Sequence, residues 1–559
     1  MRVVHLSCVA LFSLSAAVAH AADDCVALVD EPVAGHGAFD AVPPGAAPDL
    51  ERLRIGRIDM ERLQIFNLDD PAEDIWLWRL ANRLHILTQE QAIEEQLQFG
   101  EGERYRATAL RETERILREQ RWLFDARVVP TRRCNDTVDV KVVTRDVWSL
   151  TGTGELERAG GDTSVSAGIQ EVNLLGRGEN LGIIYTDGID RSGAGFFFID
   201  EYLAGGPGAL VLRANKNSDG GDVLLDLSRP FRNLDERISY GMEVLFDLRD
   251  QPLFEAGGDR FGRFQQRQIR TRLFTAASTG RIDGEVQRWT LGLEFEDFRF
   301  DEASEPLQLT EIPGDRRRTW PFVRFESIED DWDSSLRLDF LQRPGDVYMG
   351  RRFGVTVGYS PDLLGADAER IMLRADIRDG YRPRPDVLVF WQADVEGAFR
   401  NNSDSENLIT NVGAEVHWRH HPTFGFFAAI EGTLARGLTD DRQLLLGGEN
   451  GLRGYPSRFQ QGDRRVAMRL EERWFSTAHP FQLLMVGAAA FVDVGRAWFP
   501  GDPDDDASGW MTNIGAGVRI GTTRGVSESL FHIDVAVPLR TGGPNVDDVL
   551  LGLSVRRSF

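Results

Sequence analysis

The sequence predicts a mainly β protein, in which one small α/β domain precedes an antiparallel β-barrel that crosses a membrane. Helical periodicity ends near Thr151, and segment after segment then alternates apolar residues with polar or small ones. The polar face of these segments carries charges in pairs and triplets. A soluble sandwich would place such charges in water, whereas a membrane barrel turns its apolar face to lipid and its charges to a wet lumen. An export signal at the N-terminus favours the second arrangement.

Length and charge limit the classes of function. The chain has 559 residues, enough for two or three domains. Its formal net charge of -24 argues against a nucleic-acid partner, because phosphate binding needs a basic surface. Outside the N-terminus, no apolar run is long enough for a membrane-spanning helix. This excludes helical membrane proteins but not barrels, whose strands hide half their residues from lipid.

The N-terminal sequence has the pattern of an export signal followed by a linker. Residues 1–21 have the pattern of a signal peptide, with Arg2 at the positive start, an apolar stretch, and small residues at Ala19 and Ala21 for cleavage. Residues 22–51 form an N-terminal segment rich in Pro, Gly and Ala, in which residues 30–49 are interpreted as a linker.

Two cysteines remain after signal cleavage. Cys25 and Cys134 would then lie in an oxidising compartment, where disulfides form and persist. They could pair and tie the N-terminal segment to the domain that follows, or remain as two free thiols. The sequence leaves both alternatives open.

Residues 52–150 predict one α/β domain. "RLRIGRIDMERLQIF" has the alternation of a strand, and "IWLWRLANRL" predicts an inserted helical turn or two. A capping-box pattern at Thr88 and Gln91 begins one helix, and "RATALRETERILREQ" has the one-sided apolar stripe of a second. "WLFDARVVP" and "TVDVKVVTRDVWSL" then predict two strands, which gives the order β-α-α-β-β.

Residues 151–559 predict the barrel. In the segment 289–296, "WTLGLEFE", the apolar residues share one face, opposite Thr, Gly and two Glu. The last residue, Phe559, ends another alternating strand. An unpaired strand edge cannot lie in lipid, so this strand is expected to close the barrel against the first one.

The segment 444–459, "LLLGGENGLRGYPSRF", places Arg453 in a glycine-rich loop. Gly451 and Gly454 allow backbone turns that other residues avoid. Alternation places two acids, Glu471 and Asp493, on lumen faces of later strands, with small residues beside Asp493. Spacing alone favours an exposed loop with a solvated arginine over a buried one.

These segments, in this order, resemble the BamA/TamA superfamily of outer-membrane assembly and secretion barrels, also called the bacterial surface antigen family. The β-α-α-β-β unit resembles one POTRA domain, a periplasmic module that handles polypeptide. "EVNLLGRGENLGI" at 171–183 is similar to the family's first barrel strand, and "LGGENGLRGY" to its long sixth loop. "FVDVG" at 491–495 is similar to the strand whose acid meets that loop, and "IGAGVRIG" and "FHIDVAVPL" resemble the last strands.

The resemblance implies a barrel of about 16 strands, with the POTRA domain in the periplasm and the barrel in the bacterial outer membrane. It also implies that the loop folds back into the lumen, where Arg453, Gly454 and Tyr455 form its signature. Arg453 would meet Asp493 and share its charge with Glu471, because a guanidinium can engage a carboxylate through two hydrogen bonds. Arg458, its neighbour, is expected to matter less.

The predicted function is assembly or translocation at the outer membrane. The POTRA domain would bind unfolded outer-membrane or secreted client proteins by strand addition, and the barrel would act at the seam between its first strand, near 174–186, and the strand ending at Phe559. Outer-membrane lipid and periplasmic accessory proteins are the other expected partners, and no cofactor is implied. The alternatives are a two-partner secretion transporter for a dedicated partner and a passive porin-like barrel.

No catalytic or metal site is predicted. The sequence contains no G-x-S-x-G nucleophile elbow, and its nine histidines show no H-E-x-x-H spacing. The paired acids on strands are interpreted as lumen lining, so an enzyme is not expected.

Overall fold

The computed structural model describes residues 25–28, 48–71, 73–303, 312–333, 347–400, 404–476, 478, 480, 484–501, 509–522, 529–539 and 549–557. The predicted signal peptide and Phe559 lie outside these ranges.

The N-terminal domain is a four-stranded sheet with helices on it. Its elements are β1 (Cys25–Ala27), β2 (Arg54–Leu63), α1 (Trp76–Leu84), α2 (Glu90–Glu94), α3 (Ala107–Glu119), β3 (Leu123–Cys134) and β4 (Thr137–Asp146). A 3-10 turn at Pro48–Arg52 lies between β1 and β2. The strand order is β1-β3-β4-β2, with β2 parallel to β4. Two features were not predicted: the added edge strand β1, and the full length of α1.

Alternation and helical periodicity explain the core of this domain. Leu110 and Leu117 on α3 pack with Ile93 of α2 against Leu123 and Val140 of the sheet, and all five are buried. Among the described helices, none is long and apolar enough to cross a membrane.

The remainder of the described chain forms a closed antiparallel barrel of 20 strands. In chain order the strands are β5 (Leu150–Ala159), β6 (Asp162–Glu171), β7 (Asn180–Asp187), β8 (Ser192–Asp200), β9 (Ala209–Asn217), β10 (Gly220–Arg229), β11 (Ile238–Phe254), β12 (Arg260–Ser278), β13 (Glu285–Glu302), β14 (Arg316–Glu329), β15 (Trp332–Asp333), β16 (Val347–Tyr348), β17 (Arg352–Ser360), β18 (Arg370–Arg384), β19 (Val387–Arg400), β20 (Ser405–His421), β21 (Phe424–Arg436), β22 (Leu444–Leu446), β23 (Gln460–Gly462), β24 (Arg464–Phe475), β25 (Leu484–Trp498), β26 (Met511–Thr522), β27 (Ser529–Pro538) and β28 (Leu550–Arg557). Of these, β15–β16 and β22–β23 are short separate hairpins.

The strand count of about 16 was wrong, and so was the position of the first strand. The segment 174–186 contains a turn and β7, which is the third strand of the barrel. Leu175 and Gly176 in that turn have φ of 55° and 79°, so the chain reverses there after β6. The barrel begins instead at β5, "LTGTGELERA", whose glycines and threonines weaken the apolar alternation that marks a strand.

The wall of the barrel has apolar side chains outside and charged side chains inside. On β13, Trp289 and Leu291 are 54% and 58% exposed, whereas Glu294 and Glu296 are buried. This is the inverse of a water-soluble sandwich. The wall is also uneven in height: β11, β12 and β13 have 17, 19 and 18 residues, whereas β5 to β10 have 8 to 10.

The barrel closes between β28 and β5, and we call this junction the seam. Among the described residues the seam has one aligned pair, Leu553 with Arg158. On its other side β28 pairs with β27 without interruption, from Arg557 opposite Ser529 to Leu550 opposite Ala536. Within the described residues, the seam is therefore the least paired junction of the ring.

The N-terminal domain lies against the barrel turn between β6 and β7. Asp146, at the end of β4, accepts hydrogen bonds from the backbone N and the Oγ1 of Thr88, both at 2.8 Å. Thr88 Oγ1 in turn accepts from Asn173 Nδ2 at 2.8 Å, and Gln89 Nε2 donates to the carbonyl oxygen of Leu175 at 2.9 Å. These bonds fix the short helix α2 to the rim of the barrel.

Candidate functional site

A long loop between β21 and β24, residues 437–463, turns into the barrel, and we call it the lumen loop. It carries the β22–β23 hairpin and a small hydrophobic core of its own. Leu446, Leu452 and Tyr455 are each no more than 1% exposed. They pack against Ala467 and Met511 of the wall. The loop therefore fills part of the lumen as a packed structure.

Arg453 points from this loop into a group of wall carboxylates. Its Nε lies 2.9 Å from Asp493 Oδ2 and its Nη2 lies 2.6 Å from Asp493 Oδ1, which is the two-pronged geometry. Its Nη1 donates to Glu471 at 2.8 Å and to Asp534 at 3.3 Å. The guanidinium also lies 3.4 Å from the centroid of the Phe491 ring. The arginine is thus held by acids on three strands, β24, β25 and β27.

The three carboxylates are buried and have further partners. Asp493 is fully buried and accepts from Asn513 Nδ2 at 2.8 Å. Arg473 donates to Glu471 at 2.9 Å, and Arg519 donates to Asp534. Three arginines therefore face three carboxylates, which limits the cost of burying charge in the lumen.

Asp534, Arg519 and Asn513 were not predicted from the sequence as members of this site. A signal was present for Asp534, because Ile533 and Val535 of β27 are exposed on the outer face and alternation then places Asp534 inside. No comparable pattern identifies Asn513 as the partner of Asp493, because a polar lumen residue has many potential partners.

Glycine and tyrosine complete the contact of the loop with the wall. A Cβ on Gly454 would lie 2.5 Å from the Cβ of Asn513, so only glycine allows this close approach. Tyr455 Oη donates to the carbonyl oxygen of Thr512 at 3.0 Å and accepts from the backbone N of Thr512 at 3.1 Å. The tyrosine hydroxyl thereby binds both backbone groups of Thr512 at the start of β26.

A second anchor holds the beginning of the loop to the distant wall. Asp441 and Arg316, on β14, form two parallel hydrogen bonds of 2.7 Å, and both residues are buried. Gln443 bonds both backbone groups of Phe254 on β11, accepting from its N at 2.9 Å and donating to its O at 2.7 Å. In this pair the loop contributes the acid and the wall contributes the arginine, whereas at Arg453 the loop contributes the arginine.

A third set of contacts joins the end of the loop to the first strands. Ser457 Oγ donates to the carbonyl oxygen of Ala159 at 3.1 Å, and Ser457 N donates to that of Gly160 at 3.2 Å. Arg458 bonds Asp190, in the turn after β7, and lies 4.1 Å from the centroid of the Phe254 ring. Arg458 therefore helps to anchor the loop, although nothing in the sequence predicted a contact for it.

A cavity of about 310 Å³ adjoins both the loop and the seam. It is lined by Arg158 of β5, by Gly552 and Leu553 of β28, and by Glu449 and Arg453 of the loop. The cavity lies beside the single aligned pair of the seam. Movement of the loop would therefore change the surroundings of the two closing strands, β5 and β28.

The structure joins Cys25 and Cys134 by a disulfide, with the two cysteines directly opposite each other in β1 and β3. Within the described residues, no group of three or more His, Cys, Asp or Glu side chains is arranged to hold a metal ion.

A scan of protein-family models and a search of curated proteins both find no match. Among solved structures, the chain is similar to the crystal structure of BamA from Haemophilus ducreyi lacking POTRA domains 1-3, at 12% identity and a TM-score of 0.41, covering 91% of this chain and 84% of that one. It is also similar to CdiB from Escherichia coli (14% identity, TM-score 0.46, 90% and 76% covered) and to CdiB from Acinetobacter baumannii (10%, 0.43, 91% and 74%).

Proposed function

We propose that this protein is an outer-membrane assembly or translocation barrel, which receives unfolded client polypeptide at its N-terminal domain and inserts or exports it at the barrel. One observation carries the proposal. The lumen loop fills part of the barrel and also contacts strands on both sides of the seam, through Tyr455 to β26, two strands before β28, and through Ser457 to β5. The loop is thus placed to control a junction that has a single aligned pair among the described residues.

The apolar outer surface supports a membrane location. Burying such surface in lipid contributes about 25 cal/mol per Å², and the exposed side chains of β13 alone include Trp289, Leu291 and Leu293. The short strands β5 to β10 have 8 to 10 residues. A tilted strand needs about 9–11 residues to cross the hydrocarbon core. We assign the barrel to the bacterial outer membrane and the N-terminal domain, as a single POTRA-type module, to the periplasm.

Client binding by strand addition needs a free sheet edge. The outer edge of β3 is largely occupied: β1 pairs with residues 132–134, Val128 N donates to Glu114 at 2.9 Å, and Pro130 has no N–H. On the other side of the sheet, β2 is the edge strand among the described residues. We therefore place the client on the β2 edge.

The two alternatives differ from the proposal in the route that they require. A passive porin needs an open lumen, whereas here the lumen holds the packed loop with Leu446 and Leu452 in its core. A two-partner secretion transporter would move its partner through the lumen, so the loop would have to leave while the seam stayed closed. An assembly barrel requires the seam itself to open.

A cross-link at the seam distinguishes these routes. Arg158→Cys with Leu553→Cys places two thiols at directly opposed positions of β5 and β28. The matched control is Val518→Cys with Ile533→Cys, an opposed pair in the continuous β26–β27 ladder. The outer-membrane and secreted proteomes of cells that carry each oxidised variant are compared. Loss of folded outer-membrane proteins with the seam cross-link alone supports assembly at the seam, and an unchanged proteome contradicts it.

Conductance tests the porin alternative. In planar bilayers the intact protein should conduct little, and deletion of residues 444–459 should raise conductance strongly, because the deletion removes the packed part of the loop. Equal and large conductance with and without the loop would favour a porin.

A further inference from the structure

Helix α1 exposes its apolar side. Trp76, Leu77, Leu80 and Leu84 are 72%, 41%, 41% and 63% exposed, and no residue of the helix is buried. With about 3.6 residues per turn, these four side chains fall on one stripe along the helix. A stripe of this kind usually faces a core, so its exposure calls for an explanation.

The domain holds α1 by the opposite, more polar side. The Trp78 ring stacks on Phe66 with centroids 4.2 Å apart and planes 11° apart. Asn82 accepts from the backbone N of Phe66 at 3.1 Å and donates to its carbonyl oxygen at 2.9 Å. These contacts fix the rotation of the helix about its axis, so the apolar stripe is held outward.

The chain that follows α1 is attached to the rim of the barrel. His85 Nε2 lies 2.8 Å from Asp146 Oδ2, and Gln89 bonds the carbonyl oxygen of Leu175 in the β6–β7 turn. Leu175 is itself 61% exposed, and Ile169 and Ile183 on the adjoining strands are 64% and 63% exposed on the outer face. The stripe of α1 therefore lies near the end of the barrel where the β6–β7 turn is, close to the apolar outer surface of β6 and β7. This is the side of the barrel that contains β5.

Two arginines lie along one edge of the stripe. Arg79 and Arg83 are exposed, and the helix contains no acidic residue. Arg79 pairs with Asp74 through two bonds of 2.6 and 2.7 Å, and Arg83 lies in the last turn. An apolar face bordered by arginine is the composition of helices that lie in a lipid interface, where the cations meet anionic head groups.

We propose that α1 is an interfacial helix, which lies in the periplasmic surface of the membrane beside β5–β7 with Trp76, Leu77, Leu80 and Leu84 in the lipid. The proposal rests on the membrane location given under the proposed function, and its occupant is the bilayer surface. The helix would hold the N-terminal domain against the membrane on one flank of the seam, so that client bound to the domain stays next to the strands that open.

Lipid quenching of a fluorophore tests the proposal on the full-length protein. An environment-sensitive label is attached to Leu80→Cys, and the protein is reconstituted into phosphatidylethanolamine and phosphatidylglycerol vesicles that contain nitroxide-labelled lipid. Cys25 and Cys134 are joined and Cys8 lies in the predicted signal peptide, so the added cysteine supplies the free thiol. Asp136→Cys, in the exposed β3–β4 turn, is the control in water, and Leu291→Cys, on the outer face of β13, is the control in lipid.

The expected result is strong quenching at Leu80 and at Leu291, several-fold above that at Asp136. Quenching at Leu80 no greater than at Asp136, with Leu291 quenched, would overturn the interfacial helix and leave the membrane barrel standing. A blue-shifted but unquenched label at Leu80 would mean that protein covers the stripe, either client or residues 29–47, and would also overturn it. Absence of quenching at Leu291 would overturn the membrane barrel and the interfacial helix together.

Discussion

Ser457 and Ala159 connect the lumen loop to the first barrel strand, because the hydroxyl of Ser457 donates to the carbonyl oxygen of Ala159 at 3.1 Å. Close by in sequence, Tyr455 forms hydrogen bonds with the backbone of Thr512 on β26, which lies two strands before β28 on the other side of the seam. A loop that only filled the lumen would not need both contacts. We infer that this segment acts as a strap across the seam, whose release must precede opening.

Gly160→Ala should loosen this strap. A Cβ on Gly160 would lie 2.1 Å from the backbone N of Ser457, so the loop must move away from β5. We expect faster hydrogen exchange in β5 and β28, measured by mass spectrometry on the folded protein. Gly161→Ala is the matched control: it lies in the same turn and also has positive φ, but a Cβ there meets nothing within 4 Å. Equal exchange in the two variants would show that the contact does not restrain the seam.

Arg453→Ala should destabilise the folded barrel by removing one side of a buried charge network. Breaking such a pair typically costs roughly 3–5 kcal/mol, and here Asp493, Glu471 and Asp534 all lose a partner. Arg453→Lys should also be impaired, because lysine keeps the charge but loses the two-pronged bond and the contact with Phe491. The temperature at which the barrel loses its heat-modifiable migration in gels measures the effect.

Arg469 provides the control for this experiment. It lies on β24 beside Glu471, and its Nη2 bonds Glu431 at 3.0 Å, but the two side chains are 25% and 55% exposed. Such a pair contributes about 0–1 kcal/mol, so Arg469→Ala should leave the transition nearly unchanged. Similar losses in Arg453→Ala and Arg469→Ala would contradict a special role for Arg453. Arg458 is unsuitable as the control because it bonds Asp190.

Alternation in the sequence was sufficient to predict which residues face the lumen and which face outward. It placed Glu471 and Asp493 inside, and the structure brings both within hydrogen-bond distance of Arg453. It could not count the strands, because period two describes a strand but does not say where hairpins begin when glycine and threonine dilute the pattern, as in β5. The family resemblance then misplaced the first strand, and the barrel has 20 strands.

Contacts between the loop and the wall could be predicted only where a motif named both partners. Asp441 and Arg316 are 125 residues apart, and nothing local in the sequence relates them. Their pairing depends on the path of the loop across the lumen, which is set by packing. The same holds for Ser457 and Ala159 at the end of β5, 298 residues away. Long-range polar contacts of this kind follow from tertiary structure rather than from periodicity.

Cys25→Ser should release β1 from the edge of β3. A strand of three residues is too short to stay paired by its own hydrogen bonds, so the disulfide is expected to hold it. Closing a loop of this length stabilises a domain by about 4–5 kcal/mol in the chain-entropy picture. We expect faster deuterium uptake at residues 132–134, and the same change in Cys134→Ser. If alkylation of the unreduced mature protein modifies both thiols, the pairing itself is wrong.

Asp125 should make the stability of the N-terminal domain fall as the pH rises. The side chain is 2% exposed, and burial raises the pKa of its carboxyl to about 6, against the opposing effect of the nearby Arg127 charge. In the unfolded chain the pKa is about 3.9. The folded state therefore binds the proton more tightly, so the favourable contribution is fully present below about pH 4 and is lost as the pH rises through about 6. Each unit of difference corresponds to about 1.4 kcal/mol, which gives an upper bound of about 3 kcal/mol.

Asp125→Asn removes this titration and should stabilise the domain at pH 7.5 while changing little at pH 4. The described α-helices all lie in this domain, so ellipticity at a helical wavelength during urea unfolding of the full-length protein reports on it. Asp136→Asn, in the exposed β3–β4 turn, is the control and should leave the stability of the domain unchanged at both pH values. An Asp125→Asn variant whose stability differs from the wild type by the same amount at both pH values would show that folding does not raise the pKa of the Asp125 carboxyl.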